Sequence, residues 1–257
     1  MSDYTEILGK KISEKTVAEI ERIIDYIQHP VTFQEIPEEN SHGFGYSNWF
    51  AEPIKIVASI THLPQNAFEA NLLHELYHLC QHYENFPMTS TKRQTNISRN
   101  DEDFLNRIGS MSASLILDLD VCDRIENFGL SSGYFFDVRY RQAMSYHFDQ
   151  LTRRDDQVSM ILRVTGIILQ CSKRQAQEVC QHYQGKNKYI VRKASSLAKK
   201  VMGLDHNSPE GCFKCLTVMY DYLNIWDWQE INYSGMVWGD SRAANTFLSS
   251  CCHSDSE

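Results

Sequence analysis

Two histidines and a glutamate occur in the string His74-Glu75-Leu76-Tyr77-His78, and their spacing favours metal chemistry. In a helix, residues four apart project from one face, so His74 and His78 can direct ring nitrogens at one ion. A catalytic zinc ion takes three protein ligands plus water. Glu75 lies beside this face, where its carboxylate can take a proton from that water and return it to a leaving group. The string therefore predicts a catalytic zinc site with Glu75 as general base.

The chain around this string favours the helix that such a site needs. Residues 67–83 contain no proline or glycine, which predicts an uninterrupted helix. The residues flanking the histidines are uncharged and largely apolar: Leu72, Leu73, Leu76, Leu79 and Cys80. The β-branched segment 54–60 predicts a strand before this helix, and residues 103–128 predict a second helix that stops at Gly129.

A strand, a helix with HELYH and a second helix together resemble the zincin metallopeptidases. The likeness covers about residues 54–128, and small bacterial relatives of the ImmA/IrrE kind share the arrangement. It implies a zinc-dependent peptidase that hydrolyses a peptide bond in a protein or peptide substrate. In such sites the substrate backbone usually pairs with a sheet edge, so segment 54–60 is the predicted substrate-binding strand.

Two common positions for a third zinc ligand are missing from this chain. Metzincins resemble H-E-x-x-H-x-x-G-x-x-H, but here Gln81 occupies the glycine position and Glu84 the final histidine position. Without the glycine the helix continues, and Glu84 rotates away from the metal. The thermolysin-like N-E-x-x-x-D string does not occur either.

The second predicted helix offers four other carboxylates: Asp118, Asp120, Asp123 and Glu126. Its apolar stripe is formed by Met111, Leu115, Cys122 and Ile125. Asp118 falls on the missing step of this stripe, where a carboxylate is costly unless it is paired or bound to a metal. We therefore predict Asp118 as the third ligand, with Asp123 and then Glu126 as alternatives. A buried Asp118 that instead accepts a hydrogen bond from a ligand histidine would still belong to this site.

Other residues near these elements receive lesser roles. Asp120 shares a helix face with Arg124, so we expect it to be solvated or ion-paired. His82 lies one turn beyond His78, about 80° around the helix from His74, and is expected at the rim or surface. The sequence identifies no donor to a developing oxyanion: Tyr134, His147 and Tyr233 could serve, but we expect each to be an ordinary packing or surface residue.

Eight cysteines are scattered through helical patterns, which favours free thiols over a disulfide framework. Cys212 and Cys215 form a C-x-x-C string. Together with Cys251, Cys252 and His253 it could form a second, structural zinc site; the alternative is buried helical cysteines and exposed tail thiols.

The formal net charge of −8 argues against a mainly nucleic-acid-binding protein, because the overall charge repels phosphates. Segment 186–200 departs from this balance, since it contains six lysines and arginines and no acidic residue. An apolar stripe lies opposite those charges: Ile190, Ala194, Leu197 and Val201. We predict a solvated helix face; the alternative is a patch that binds an acidic peptide or nucleic acid as a regulatory ligand. The N-terminus has no apolar signal core, which predicts a cytoplasmic protein without membrane contact.

The sequence predicts a mostly helical α+β protein. Residues 1–132 are predicted to form a zincin-like domain with a small sheet, and residues 133–257 a helical domain for specificity or regulation. Further helices are predicted at 11–28, 137–152, 155–171, 173–184, 188–203 and 209–224. Residues 31–53 and 84–102 read as irregular, and the tail from Asp227 is unassigned. The predicted function is zinc-dependent peptide hydrolysis, and the alternative is an inactive zincin-like binding or ligand-sensing regulatory protein.

Overall fold

The computed structural model describes residues 4–35, 46–48, 53–58, 63–92, 98–145 and 154–251, which form a mostly helical α+β fold. The helices of these residues are α1 (Glu14–Ile27), α2 (Gln65–Tyr83), α3 (Arg99–Phe128), α4 (Gly133–Ser145), α5 (Arg154–Gln170), α6 (Lys173–Gln184), α7 (Lys188–Met202), α8 (Pro209–Leu223) and α9 (Ser241–Cys251). The strands are β1 (Glu6–Ile7), β2 (Lys10–Lys11), β3 (Val31–Glu35), β4 (Tyr46–Asn48), β5 (Ile54–Ala58), β6 (Met88–Thr91), β7 (Gln229–Tyr233) and β8 (Met236–Trp238). They form sheets of two or three strands, so the predicted class is confirmed at this level.

The chain forms two compact units. One comprises Met1–Glu84 and Val121–Tyr134, and the other Asn85–Asp120 and Phe135–Glu257. Helix α3 contributes to both, because the change falls within it, between Asp120 and Val121. The assignment of residues 1–132 and 133–257 to a catalytic and a regulatory domain stays a prediction. None of the helices in the described part of the chain is long and apolar enough to cross a bilayer.

Strand β5 is the middle strand of a three-stranded sheet in the first unit. It pairs in parallel with β3 and antiparallel with β4. Ile54, Ile56 and Val57 are buried, as is typical of a strand covered on both faces. The prediction that this strand offers its edge to a substrate is therefore wrong, because both of its edges are paired and the edge strands are β3 and β4. Residues 59–60 of the predicted strand lie outside the described residues.

A buried carboxylate fastens the start of α1 to α2. Glu69 accepts hydrogen bonds from the backbone N–H of Ser13 (3.0 Å), the hydroxyls of Ser13 (2.6 Å) and Thr16 (2.5 Å), and the amide of Gln65 (2.6 Å). Ser13 is also the N-cap of α1, so the negative charge lies at the positive end of that helix. Burial alone would raise the pKa of Glu69, but these hydrogen bonds together lower it below its usual value.

The core of the second unit includes buried residues of α5, α7 and α8. The predictions for α5 to α8 are confirmed within one residue at each end. Their starts carry clear capping signals, since Ser172, Asn187 and Ser208 each accept a backbone N–H, and Pro209 follows Ser208. The stripe predicted for segment 186–200 is buried in α7, while Lys188, Arg192, Lys199 and Lys200 are exposed.

The structure differs from the sequence reading mainly in short elements. Segment 84–102 contains β6, and α3 begins at Arg99 instead of residue 103. The unassigned tail supplies β7 and β8, which complete an antiparallel sheet with β6. Buried Gln229 of β7 donates to the carbonyl of Leu105 (2.8 Å), so this pairing depends on residues far apart in sequence. Helix α4 begins at Gly133 instead of residue 137, and residues 146–153 lie outside the described chain.

Replacement of Glu69 by glutamine is expected to destabilise the protein by on the order of 2 kcal/mol at neutral pH, because hydrogen bonds to an ionised, buried acceptor become weaker. Since the folded-state pKa is lowered, this stabilisation is complete above the unfolded value of about 4.3 and is lost as pH falls through the folded value. Chemical unfolding from pH 7 to pH 3 measures the difference between wild type and Glu69→Gln. The exposed Glu21→Gln on α1 is the control, and a Glu69→Gln difference that does not change with pH would contradict the assignment.

Candidate metal centre

Helix α2 carries the HELYH string and is buried on all sides along much of its length. Thirteen of its residues are buried, including Leu72, Leu73 and Leu76, which are fully inaccessible. A helix that is buried around its circumference lies in a core, and the polar groups within it need partners. His74 and Glu75 are 7% and 5% exposed, so both side chains are largely shielded from water.

A second polar contact, made from within the HELYH string, holds α2 against α1. Tyr77, which lies within HELYH, donates its hydroxyl to Glu19 of α1 (3.0 Å), and Arg22 donates to the same carboxylate (2.8 Å). Burial and the Glu19 carboxylate raise the pKa of Tyr77, which keeps its hydroxyl protonated. Together with the contact of Glu69, five residues before His74, this fixes the rotation of α2 relative to α1.

The two histidines direct the same ring atom at one point. Nε2 of His74 and Nε2 of His78 are 3.2 Å apart, and their rings are nearly perpendicular, with an interplanar angle of 82°. Two nitrogens bound to one tetrahedral zinc at about 2.0–2.1 Å lie about 3.3–3.4 Å apart. The separation in the structure therefore fits two ligands of one ion.

Gln81 controls the orientation of His78. Its Oε1 lies 2.9 Å from Nδ1 of His78, and the Gln81 side chain is buried. A proton on Nδ1 that is donated to this amide oxygen leaves Nε2 unprotonated, which is the form that binds a metal. In the sequence, Gln81 stands out only as a replacement for the metzincin glycine, and its i, i+3 spacing from His78 is the signal that points to this role.

Asp118 of α3 joins the two histidines. The possible ligand atoms of His74, His78 and Asp118 all lie within 4.8 Å of one another. The stripe on which Asp118 was placed is correct, because Leu115, Cys122 and Ile125 are buried and Met111 is partly buried. His74 and Asp118 are buried and His78 is partly exposed. The three predicted ligand residues are therefore brought together, in a group that could hold a metal ion.

The other carboxylates have different surroundings. Asp123 is exposed, and exposed Glu126 accepts the hydroxyl of Ser132 (2.5 Å). Asp120 is buried, which excludes the solvated alternative but not the ion-paired one. Glu84 ends α2 and forms a two-point ion pair with Arg124 (3.0 and 2.6 Å), in keeping with its exclusion as a ligand.

Arg139 of α4 was not found by sequence reasoning. Its guanidinium donates to Oδ2 of Asp118 and to the amide oxygen of Gln170 on α5. Gln170 in turn donates to the carbonyl of Leu115, one turn before Asp118 on α3 (3.4 Å). No periodicity within one helix reports a contact among three helices, so the sequence carries no local signal for this network.

The donor set fits zinc. Two imidazole nitrogens and one carboxylate oxygen are a common ligand set of catalytic zinc. Within the described residues, no other group of three histidine, cysteine, aspartate or glutamate side chains has suitable spacing.

The remaining candidates lie elsewhere or remain open. His82 is exposed and lies outside the group, as expected, and partial desolvation lowers its pKa. Tyr233 stacks on Phe213 with ring centroids 4.8 Å apart, a packing role. Tyr134 is partly buried, and its role as an oxyanion donor stays a prediction. His147 lies outside the described residues.

The cysteines of the described residues for which side chains are placed are free thiols, as predicted. Cys212 and Cys215 are buried in α8 and donate to the carbonyls of His206 (3.1 Å) and Asp205 (3.4 Å). Burial raises the pKa of Cys215 to about 12, so this thiol stays protonated and suits packing better than metal binding. The other half of the predicted structural site, with Cys252 and His253, lies outside the described residues.

No protein-family model, curated protein or solved structure matches this chain. The resemblance to the zincins therefore rests on the HELYH string and on the order of the elements around it.

Replacement of Gln81 by leucine is expected to weaken zinc binding by about 10- to 100-fold, because His78 loses the acceptor that fixes its ring and tautomer. Glutamate at this position keeps an acceptor, so Gln81→Glu is expected to bind zinc at least as tightly as wild type. Competition with a chromogenic chelator measures both affinities. Equal affinities of Gln81→Leu and wild type would show that Gln81 has no part in orienting the ligand.

Proposed function

We propose that this protein is a zinc-dependent peptidase. The observation that carries the proposal is the convergence of His74, His78 and Asp118 within 4.8 Å, next to a buried glutamate in the HELYH string. Three protein ligands are the usual number at a catalytic zinc, which keeps a coordination position for water or substrate.

The proposed chemistry divides between the ion and the chain. When bound, zinc would supply the positive charge that polarises the scissile carbonyl and activates a water molecule. Glu75 follows His74 directly, about 100° around α2, on the flank of the ligand face. Its carboxylate takes the proton of the attacking water as the new C–O bond forms. It then delivers that proton to the leaving nitrogen as the peptide C–N bond breaks.

The substrate in this proposal is a protein or peptide. Because both edges of β5 are paired, an extended substrate would have to add to β3 or β4, the edge strands of that sheet. An acidic regulatory ligand at the exposed cations of α7 remains a further proposal from the sequence, supported by their exposure.

Metal content and hydrolysis test the proposal together. Purified wild type is expected to hold one zinc per chain, and His78→Ala to lose it. His82→Ala, one turn further along the same helix, is the matched control and should keep the metal. Metal analysis by mass spectrometry measures the stoichiometry. Wild type without stoichiometric zinc would overturn the proposal.

Glu75→Gln separates an enzyme from an inactive binding protein. This variant should retain zinc but lose about 10²–10⁴-fold in hydrolysis, because the amide cannot accept the proton. Mass-spectrometric detection of cleavage in a diverse peptide library measures the activity. Zinc-loaded wild type that cleaves nothing in the library beyond the level of Glu75→Gln would favour the alternative, a zincin-like binding or ligand-sensing protein.

A further inference from the structure

Three helices of the second unit meet around the carboxylate of Asp118. Arg139 on α4 donates through one arm to Asp118 Oδ2 and through the other to Gln170 on α5. Gln170 donates to the Leu115 carbonyl of α3, the helix that carries Asp118. These hydrogen bonds therefore form a closed ring that links α3, α4 and α5.

This ring of hydrogen bonds matters because the carboxylate of Asp118 is buried. Its side chain is 3% exposed, so an ionised carboxylate there loses nearly all hydration and needs a compensating charge. Arg139 supplies that charge, and its planar guanidinium holds two acceptors at fixed directions. A carboxylate held through Oδ2 has a restricted rotamer, which fixes the direction of Oδ1.

We infer that Arg139 is a positioning residue for the metal ligand Asp118. It holds the carboxylate in one orientation before the ion arrives, so that zinc meets a preorganised third ligand. Gln170 acts on Asp118 indirectly, because it accepts a hydrogen bond from the guanidinium nitrogen of Arg139 that does not contact Asp118. This inference rests on the proposed zinc site, but it concerns residues outside the HELYH string.

A purely structural ion pair makes a different prediction. If Arg139 only joins α3 and α4, its removal lowers the stability of the fold and leaves zinc affinity unchanged. If it positions Asp118, its removal weakens zinc binding and changes the coordination of the ion. Arg124, which pairs with Glu84 at similar partial exposure, provides the matched control.

The test compares Arg139→Met with Arg124→Met and wild type. Zinc dissociation constants come from chelator competition, and the absorption bands of bound Co²⁺ report coordination number. Arg139→Met is expected to weaken zinc binding by about 10- to 100-fold and to change the Co²⁺ bands, as loss of a ligand's supporting partner typically does. Arg124→Met should leave both unchanged. Wild-type zinc affinity and Co²⁺ bands in Arg139→Met would overturn the inference.

Two further variants test the order of action. Arg139→Lys keeps the charge but cannot hold both acceptors, so its zinc affinity is expected between those of wild type and Arg139→Met; it also serves if Arg139→Met fails to fold. Gln170→Met should weaken zinc binding less than Arg139→Met, and the double variant should bind no more weakly than Arg139→Met alone. If the losses in zinc affinity add up in the double variant, Gln170 does not act through Arg139. Wild-type zinc affinity in both Arg139→Lys and Gln170→Met would also contradict the proposed roles.

The results also distinguish this inference from the proposed function. A wild type that binds no zinc overturns both. Zinc binding that is insensitive to Arg139 overturns the positioning role alone. Zinc binding that depends on Arg139, in a protein without hydrolytic activity, supports the positioning role and contradicts the peptidase.

Discussion

The structure depends on the burial of α2 and on the need to satisfy the polar groups that are buried with it. A fully apolar helix in this place would need only packing. This helix instead buries two carboxylates, two amides, a phenol and an imidazole, and an unsatisfied polar group in the core costs about 1–3 kcal/mol. Glu69 and Tyr77 meet this demand through α1, and Gln81 meets it through His78. The partners that satisfy the helix therefore also set the direction of its histidines.

Helix α3 also buries a polar group that needs a partner. Asp118 occupies a core-facing step of an apolar stripe, and Arg139 balances its charge. A pair of this kind adds little net stability compared with apolar residues, because both charges lose hydration. The presence of this pair in the core is better explained by the orientation that Arg139 gives to the carboxylate, which suits Asp118 as a ligand better than as a simple packing residue.

Helices α2 and α3 show which parts of the structure can be predicted from the sequence. The i, i+4 histidines and the gap in the stripe of α3 are periodic within one helix, so they predict the residues that the structure brings together. The edge position of β5 was predicted wrongly, because strand order depends on β3 and β4, whose segment 31–53 reads as irregular. The network of Arg139 and the pairing of β6 with β7 join distant parts of the chain, and no local pattern reports such contacts.

The number of ligands bears on the kind of metal site. Structural zinc ions are held by four protein side chains, often with several cysteines. Among the described residues the group has three members and no cysteine, and the nearby thiol of Cys80 is buried with its pKa raised to about 12. Two neutral imidazoles and one carboxylate would leave a bound dication with net positive charge and an open position. Such an ion is a stronger Lewis acid than one surrounded by thiolates, and a buried glutamate in the same string is the kind of proton acceptor that hydrolysis requires. The ligand set therefore favours a catalytic role over a purely structural one.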